Sequence, residues 1–210
     1  MSIKLCAIAD THRQHWNIKV PECDLFIFGG DAEIDGLLPL HDFNDWLGTI
    51  KAPLVRVVIG GNHDSYLEFI GKDECKRLLT NCIYLENEFL YLEGFKIWGS
   101  PYSVEFNGWS FMRYDNNLKE IWDTIPLETE ILITHTMPYG ILDGVLPRMQ
   151  SVGSLTLRDR IKEVQPYIQI GGHLHEQGYQ NYFNGKTTYY NVSVLNENYQ
   201  LENPCTVIEI

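Results

Sequence analysis

Three apolar runs mark the first third of the chain: Ile3 to Ala9, Leu25 to Phe28 and Leu54 to Ile59. Each has the length of a strand, is rich in β-branched or aromatic residues and lacks a clean apolar–polar alternation. Such runs predict strands buried on both faces. Between the second and third, Leu40, Phe43, Trp46, Leu47 and Ile50 recur at spacings of three and four, which predicts an amphipathic helix over Leu37 to Ile50. Strand, helix, strand predicts a layered α/β domain. Two β-rich runs within Tyr84 to Tyr102 flank Glu93-Gly94, which reads as a hairpin turn. A helix is predicted around Asn116 to Trp122, a buried strand over Ile131 to Thr134, and a helix over Leu155 to Val164 that stops before Pro166. Further strands are predicted at Tyr167 to Ile170, Thr187 to Val194 and Thr206 to Ile210. No repeat, low-complexity segment or linker divides the chain, and its 210 residues suit one domain better than two, so residues 1–210 are predicted to be one domain.

The 44% hydrophobic share is that of a soluble globular protein, and the apolar runs are too short to cross a bilayer. The first run ends in Asp10-Thr11-His12 instead of a small-residue cleavage site, so it reads as a strand and not as a signal peptide, which predicts a cytoplasmic protein. A formal net charge of −12 argues against binding long nucleic acid, which needs clustered Lys and Arg. An acidic protein with an anionic substrate needs a local reversal of sign, which bound metal ions supply. The five cysteines, Cys6, Cys23, Cys75, Cys82 and Cys205, contain no close pair and predict free, mostly buried thiols in a reducing compartment.

The chemistry-bearing residues sit where predicted strands end. The first strand runs into Asp10-Thr11-His12, the second into Gly29-Gly30-Asp31 and the third into Gly60-Gly61-Asn62-His63-Asp64. The strand at Ile131 runs into His135, and the one at Tyr167 into Gly171-Gly172-His173-Leu174-His175. In open α/β sheets the ligand crevice lies at the carboxyl ends of strands, so five segments would deliver polar side chains to one rim. Carboxylate, imidazole and amide oxygen are ligands for Mn, Fe or Zn. Residues two apart in an extended segment point the same way, which pairs Asp10 with His12 and His173 with His175. Any one of these residues alone would be an ordinary turn former or a satisfied core histidine. Five clusters at five strand ends make that reading improbable. Five of the seven histidines fall in these segments; His15 and His41 lie outside and are read as surface residues.

The order Asp-x-His, Gly-Asp, Gly-Asn-His-Asp, His, Gly-His-x-His resembles the calcineurin-like metallophosphoesterase superfamily. Asp10-Thr-His12, Phe43-Asn-Asp-Trp-Leu47, Gly99-Ser-Pro101, Trp109-Ser-Phe111, Trp122-Asp-Thr-Ile-Pro126 and Ile133-Thr-His135 are similar to its metallophosphoesterase-domain-containing subgroup. Some members of that subgroup lack one histidine of the last block; this chain keeps both. The resemblance implies an αββα sandwich, two central mixed β-sheets flanked by helices. It implies one divalent ion held by Asp10, His12, Asp31 and His175, and a second held by Asp31, Asn62, His135 and His173. Asp31 and a water or hydroxide would bridge the two. The ions implied are Mn or Fe, with Zn, Co or Ni as further options. His63 would be the general acid or a stabiliser of transition-state charge, Asp64 its candidate orienting partner, and Asn62 and His63 would contact substrate.

The expected activity is hydrolysis of phosphodiesters by metal-activated hydroxide, with cyclic nucleotides favoured by the subgroup resemblance. The alternatives are a nucleotide-binding protein of the same fold with little turnover, and a nuclease or phosphomonoesterase. Tyr102, Phe106, Trp109 and Tyr139 lie in loops between the motifs and are candidates to stack on a base, though simple packing is the commoner role.

Overall fold

The computed structural model describes residues 2–210. In chain order its strands are β1 (Lys4–Ile8), β2 (Leu25–Phe28), β3 (Val55–Val58), β4 (Ile83–Tyr84), β5 (Glu88–Leu92), β6 (Phe95–Ser100), β7 (Ser103–Val104), β8 (Met112–Arg113), β9 (Ile131–Thr134), β10 (Gly144–Val145), β11 (Gln150–Ser151), β12 (Ile168–Gly171), β13 (Gln180–Phe183), β14 (Thr188–Asn191) and β15 (Thr206–Glu209). Its α-helices are α1 (Leu37–Thr49), α2 (Ser65–Ile70), α3 (Lys72–Leu78), α4 (Asp115–Trp122) and α5 (Leu155–Val164).

Two mixed sheets form the centre. One runs β15-β1-β2-β3-β4, parallel except for the antiparallel edge strand β15. The other runs β13-β14-β12-β9-β6-β5, with four parallel strands inside two antiparallel edges. The lack of alternation in the sequence now has its cause. Along β1, Cys6 and Ile8 pack beneath Leu40, Phe43 and Leu47 of α1, while Leu5 and Ala7 pack against Ile97, Ile131 and Ile170 of the second sheet. The far face of the second sheet places Trp98, Leu132 and Tyr189 under Leu118 and Trp122 of α4 and Leu157 and Ile161 of α5. The layers are therefore helix, sheet, sheet, helix, as the resemblance implies. Burying each large aliphatic side chain contributes roughly 1.5–3 kcal/mol, so three apolar layers suffice to hold two sheets face to face.

Local chemistry sets several boundaries. Glu93 and Gly94 both have positive φ, 48° and 92°, as a tight hairpin between β5 and β6 requires. Ser154 caps α5 by accepting from the Leu157 N–H at 3.0 Å, and the helix ends at Gln165 in left-handed conformation before Pro166. The pattern reading did not predict α2, α3 or β13. The two short helices bury one residue each, Leu67 and Cys75, and β13 is exposed throughout, so none carries a periodic signal. Among the described residues, no helix is long and apolar enough to cross a membrane.

Candidate metal centre

The carboxyl ends of both sheets meet along one edge. The Ala9 N–H donates to the Val192 carbonyl and the Val194 N–H to the Ala9 carbonyl, which joins the segment after β1 to the segment after β14. Glycines let the loops close up. A Cβ on Gly30 would lie 2.6 Å from His135 Nδ1, and one on Gly61 would lie 2.6 Å from His135 Cε1. Asp10, His12, Asp31 and His173 all have positive φ, between 38° and 71°. Left-handed backbone at non-glycine residues is uncommon and clusters at functional sites. Here it turns four polar side chains out of their strands toward a common point.

Two groups of ligand atoms result. Asp10, His12 and His175 form one, Asp31, His135 and His173 the other, and the chosen atoms within each group lie within 4.8 Å of one another. Asp31 Oδ2 sits between them, 3.3 Å from His135 Nε2 and 3.9 Å from His12 Nε2. Asn62 Oδ1 is 2.9 Å from His135 Nε2. Polar partners outside the groups fix the ring orientations. His135 Nδ1 donates to the Gly29 carbonyl at 2.9 Å and His175 Nδ1 to the Asn196 carbonyl at 3.0 Å. A carbonyl only accepts, so each Nε2 is left to face the group. Asp10 is held by the Ser193 hydroxyl and by the His173 N–H at 2.9 Å.

Burial and charge act together here. Burial lowers the His12 pKa, and it drives His173 down to about 3 with help from the His135 charge. Burial alone would also lower His135, but the Asp31 charge and hydrogen bond outweigh it and hold His135 up at about 9. Conversely, burial would raise the Asp31 carboxyl, but the His135 imidazolium keeps it well below the usual carboxylate range. The residues fit divalent ions on their own evidence. The donor set is carboxylate, imidazole and amide oxygen. His12 Nε2 and Asn62 Nδ2 are buried without a hydrogen-bond partner among the described residues, a costly state that a bound ion or substrate relieves.

The sequence pattern that defines the calcineurin-like phosphoesterases matches residues 3–177. The chain belongs to this family. It is 36% identical to human metallophosphoesterase domain-containing protein 1, over 99% of this chain and 71% of the relative. Its fold resembles that of TT1561 of Thermus thermophilus, with a TM-score of 0.62, 12% identity and 99% of both chains covered. It also resembles the phosphopantetheinyl hydrolase of Mycobacterium tuberculosis, with a TM-score of 0.61, 14% identity, and 93% of this chain and 90% of that one covered.

In this calcineurin-like chain, Asp10, His12, Asp31, Asn62, His135, His173 and His175 all lie at one end of the two sheets. The His63 ring lies beside them, its centroid 4.9 Å from that of His12 and 4.7 Å from that of Trp109, and its backbone N–H donates to Asp31 Oδ1 at 2.8 Å. Asp64 does not orient His63. Its buried carboxylate accepts from the backbone N–H groups of Asp31, Ile34 and Gly61 at 2.8–2.9 Å, tying the second ligand loop to the third. Burial, and then the Asp31 charge, raise this carboxyl to about 7. His15 is not a surface residue: it is 2% exposed, contacts Asp42 at 2.9 Å and packs beside Trp46. His41 is exposed, as expected. Of the four candidate stacking residues, Trp109 alone lines the cleft over the metal centre. Phe106 packs edge-on to Trp109, Tyr102 packs against Phe111, and Tyr139 lies under the Arg158 guanidinium. Sequence reasoning missed Ser193, Asn196, Glu176, Glu197 and Tyr199; the last three also line the cleft.

Proposed function

We propose that the chain hydrolyses small phosphodiesters, cyclic nucleotides first among them, with two divalent ions, Mn or Fe, as cofactors. The observation that carries this reading is the position of Asp31, whose carboxylate lies between the two ligand groups. When bound, such a pair of ions polarises phosphoryl oxygens and lowers the pKa of water. The chain's own residues do the rest. Asp10, His12 and His175 would hold one ion, His135, His173 and Asn62 the other, and Asp31, lying between the two groups, would serve both. The unpartnered Asn62 Nδ2 is available to donate to a phosphoryl oxygen. His63 belongs to neither ligand group and stands at the cleft, so it is placed to hand a proton to the departing alkoxide. The likeness to the human metallophosphoesterase domain-containing protein over nearly the whole chain supports the metal-dependent phosphoester part of this reading. The five cysteines are free and four are buried, which supports residence in a reducing compartment, the cytoplasm.

The test is turnover of bis(p-nitrophenyl) phosphate and of cyclic nucleotides by the Mn-loaded protein, with a chelated sample as control. Metal-dependent release of p-nitrophenolate and of nucleotide monoester is expected. A protein that takes up two ions and hydrolyses neither substrate would refute the reading in favour of a binding protein.

A further inference from the structure

The cleft over the metal centre holds about 160 Å³ and is lined, among others, by Asn62, His63, Trp109, Glu176, Glu197 and Tyr199. No Lys or Arg is among its lining residues. Arg13, next to His12 in the chain, is already paired with Glu33 and Asp35. A metal pair attracts any phosphate, so discrimination between one negative charge and two falls to the groups around it. We infer that Glu176 and Glu197 are specificity-determining residues that admit a singly charged phosphodiester and repel a doubly charged monoester or a polyanion.

Three observations converge on this. Asn62 is 3% exposed, its Oδ1 contacts His135, and its Nδ2 has no partner, so the cleft offers a neutral amide donor to a phosphoryl oxygen instead of a guanidinium fork. Glu176 accepts from the Leu146 N–H at 3.3 Å through Oε1, which holds one oxygen of its carboxylate, and Glu197 is exposed. Both carboxylates line the cleft, so a second negative charge on a bound anion meets more repulsion there than a first. Trp109 and Tyr199 are 41% and 49% exposed and present aromatic faces, which suit a neutral planar or cationic arm and do nothing for a second phosphate charge. The inference rests on the phosphoester reading above only in taking the bound anion to be a phosphorus oxyacid.

The experiment is an equilibrium titration of the Mn-loaded protein at pH 8 with phenylphosphonate, a dianion, and with its monomethyl ester, a monoanion of nearly the same shape. It is made on wild type, on the double variant Glu176→Gln/Glu197→Gln, and on Glu197→Lys at the exposed position, with circular dichroism and metal content on each sample. Wild type is expected to bind the monoanion more tightly. The double variant should shift the dianion-to-monoanion affinity ratio about tenfold toward the dianion, and Glu197→Lys alone should shift it in the same direction. The preference should also weaken with added salt in wild type and lose most of that salt dependence in the double variant. Equal ratios in all three proteins would overturn the inference, as would a wild type that prefers the dianion. Turnover of bis(p-nitrophenyl) phosphate on the same samples keeps the two readings apart. Charge selection without turnover would refute hydrolysis and leave the filter standing, whereas turnover with an unaltered ratio would do the reverse. Failure to bind either phosphonate would overturn the filter, and turnover on the same sample would decide hydrolysis separately.

Discussion

The two ligand groups are held ready by different forces. In the group of Asp31, His135 and His173, Asp31 and His135 pair directly: His135 is fully buried, 3.3 Å from Asp31 and 2.9 Å from Asn62, and the Asp31 charge raises its pKa, while the His173 ring lies beside it with 5.0 Å between centroids. Asp10, His12 and His175 make no such internal contact. Its one acid–base pair among the described residues is the 4.0 Å approach of His175 to Asp10, and each residue is fixed from outside instead. Ser193 and the His173 N–H hold Asp10, the Asn196 carbonyl holds His175, and left-handed backbone aims His12, whose N–H donates to the Asp31 carbonyl. The first group must surrender a proton to accept an ion; the second has none to surrender from His12, whose pKa burial depresses. A binuclear site can thus combine a self-paired half and a scaffolded half, and the two should respond differently to mutation and to pH.

Substitution of the residue shared by both halves should have the largest effect. Asp31→Asn is expected to lower kcat/KM by about four powers of ten, in line with several kcal/mol of charge stabilisation, and to reduce the content of both ions. His12→Ala should reduce only one. Metal analysis beside kinetics checks this, and Asp31→Asn with both ions retained and wild-type turnover would remove Asp31 from its bridging role. His63 belongs to neither half. His63→Ala should keep both ions while kcat falls by roughly 10²–10⁴-fold for diesters that expel an alkoxide, and by much less for p-nitrophenolate, which needs no proton. A variant that also lost metal would make His63 a ligand.

The smallest predicted effect is thermal and separates the halves by pH. His135 is raised in the folded, metal-free protein from 6.5 to about 9. Its pairing with Asp31 therefore contributes stability that is fully present below about pH 6.5 and lost as pH rises through about 9. Over the same window the competing proton leaves, so metal binds more tightly. The gap in Tm between Mn-loaded and metal-free protein should widen by a few degrees from pH 6 to pH 9. His135→Ala, which leaves the scaffolded half intact, should flatten that trend. A gap that narrowed with rising pH in wild type would contradict the ion-pair account.

The layer order and the site were legible in the sequence to different depths. Strands buried on both faces betray themselves by unbroken apolar runs, and β2 and β9 fall at the predicted bounds. Ligand residues were legible because each follows such a run directly. What the sequence did not disclose is direction. Asp64 follows His63 in the chain, yet its carboxylate turns back onto three backbone amides, a consequence of how the loop curls and not of its composition. His15 looked like a solvent-facing residue because its burial depends on a short 3₁₀ turn folding back onto α1. Asn196 was invisible for another reason: it serves through its backbone carbonyl, which every residue possesses. The cleft carboxylates Glu176 and Glu197 belong to different segments and come together only in three dimensions.

Trp109 gives the protein a built-in optical reporter. Three of the five tryptophans, Trp46, Trp98 and Trp122, are buried in the packed layers, where their emission is insulated from events at the cleft. Trp109 instead lies against the His63 imidazole with 4.7 Å between ring centroids and 41% of its surface in water. A ligand seated beside the indole shields it from solvent. Of the two exposed tryptophans, Trp16 is hydrogen-bonded to Asp42 and Trp109 alone lines the cleft, so the arrival of a ligand should become visible as a change in Trp109 emission that Trp109→Phe removes.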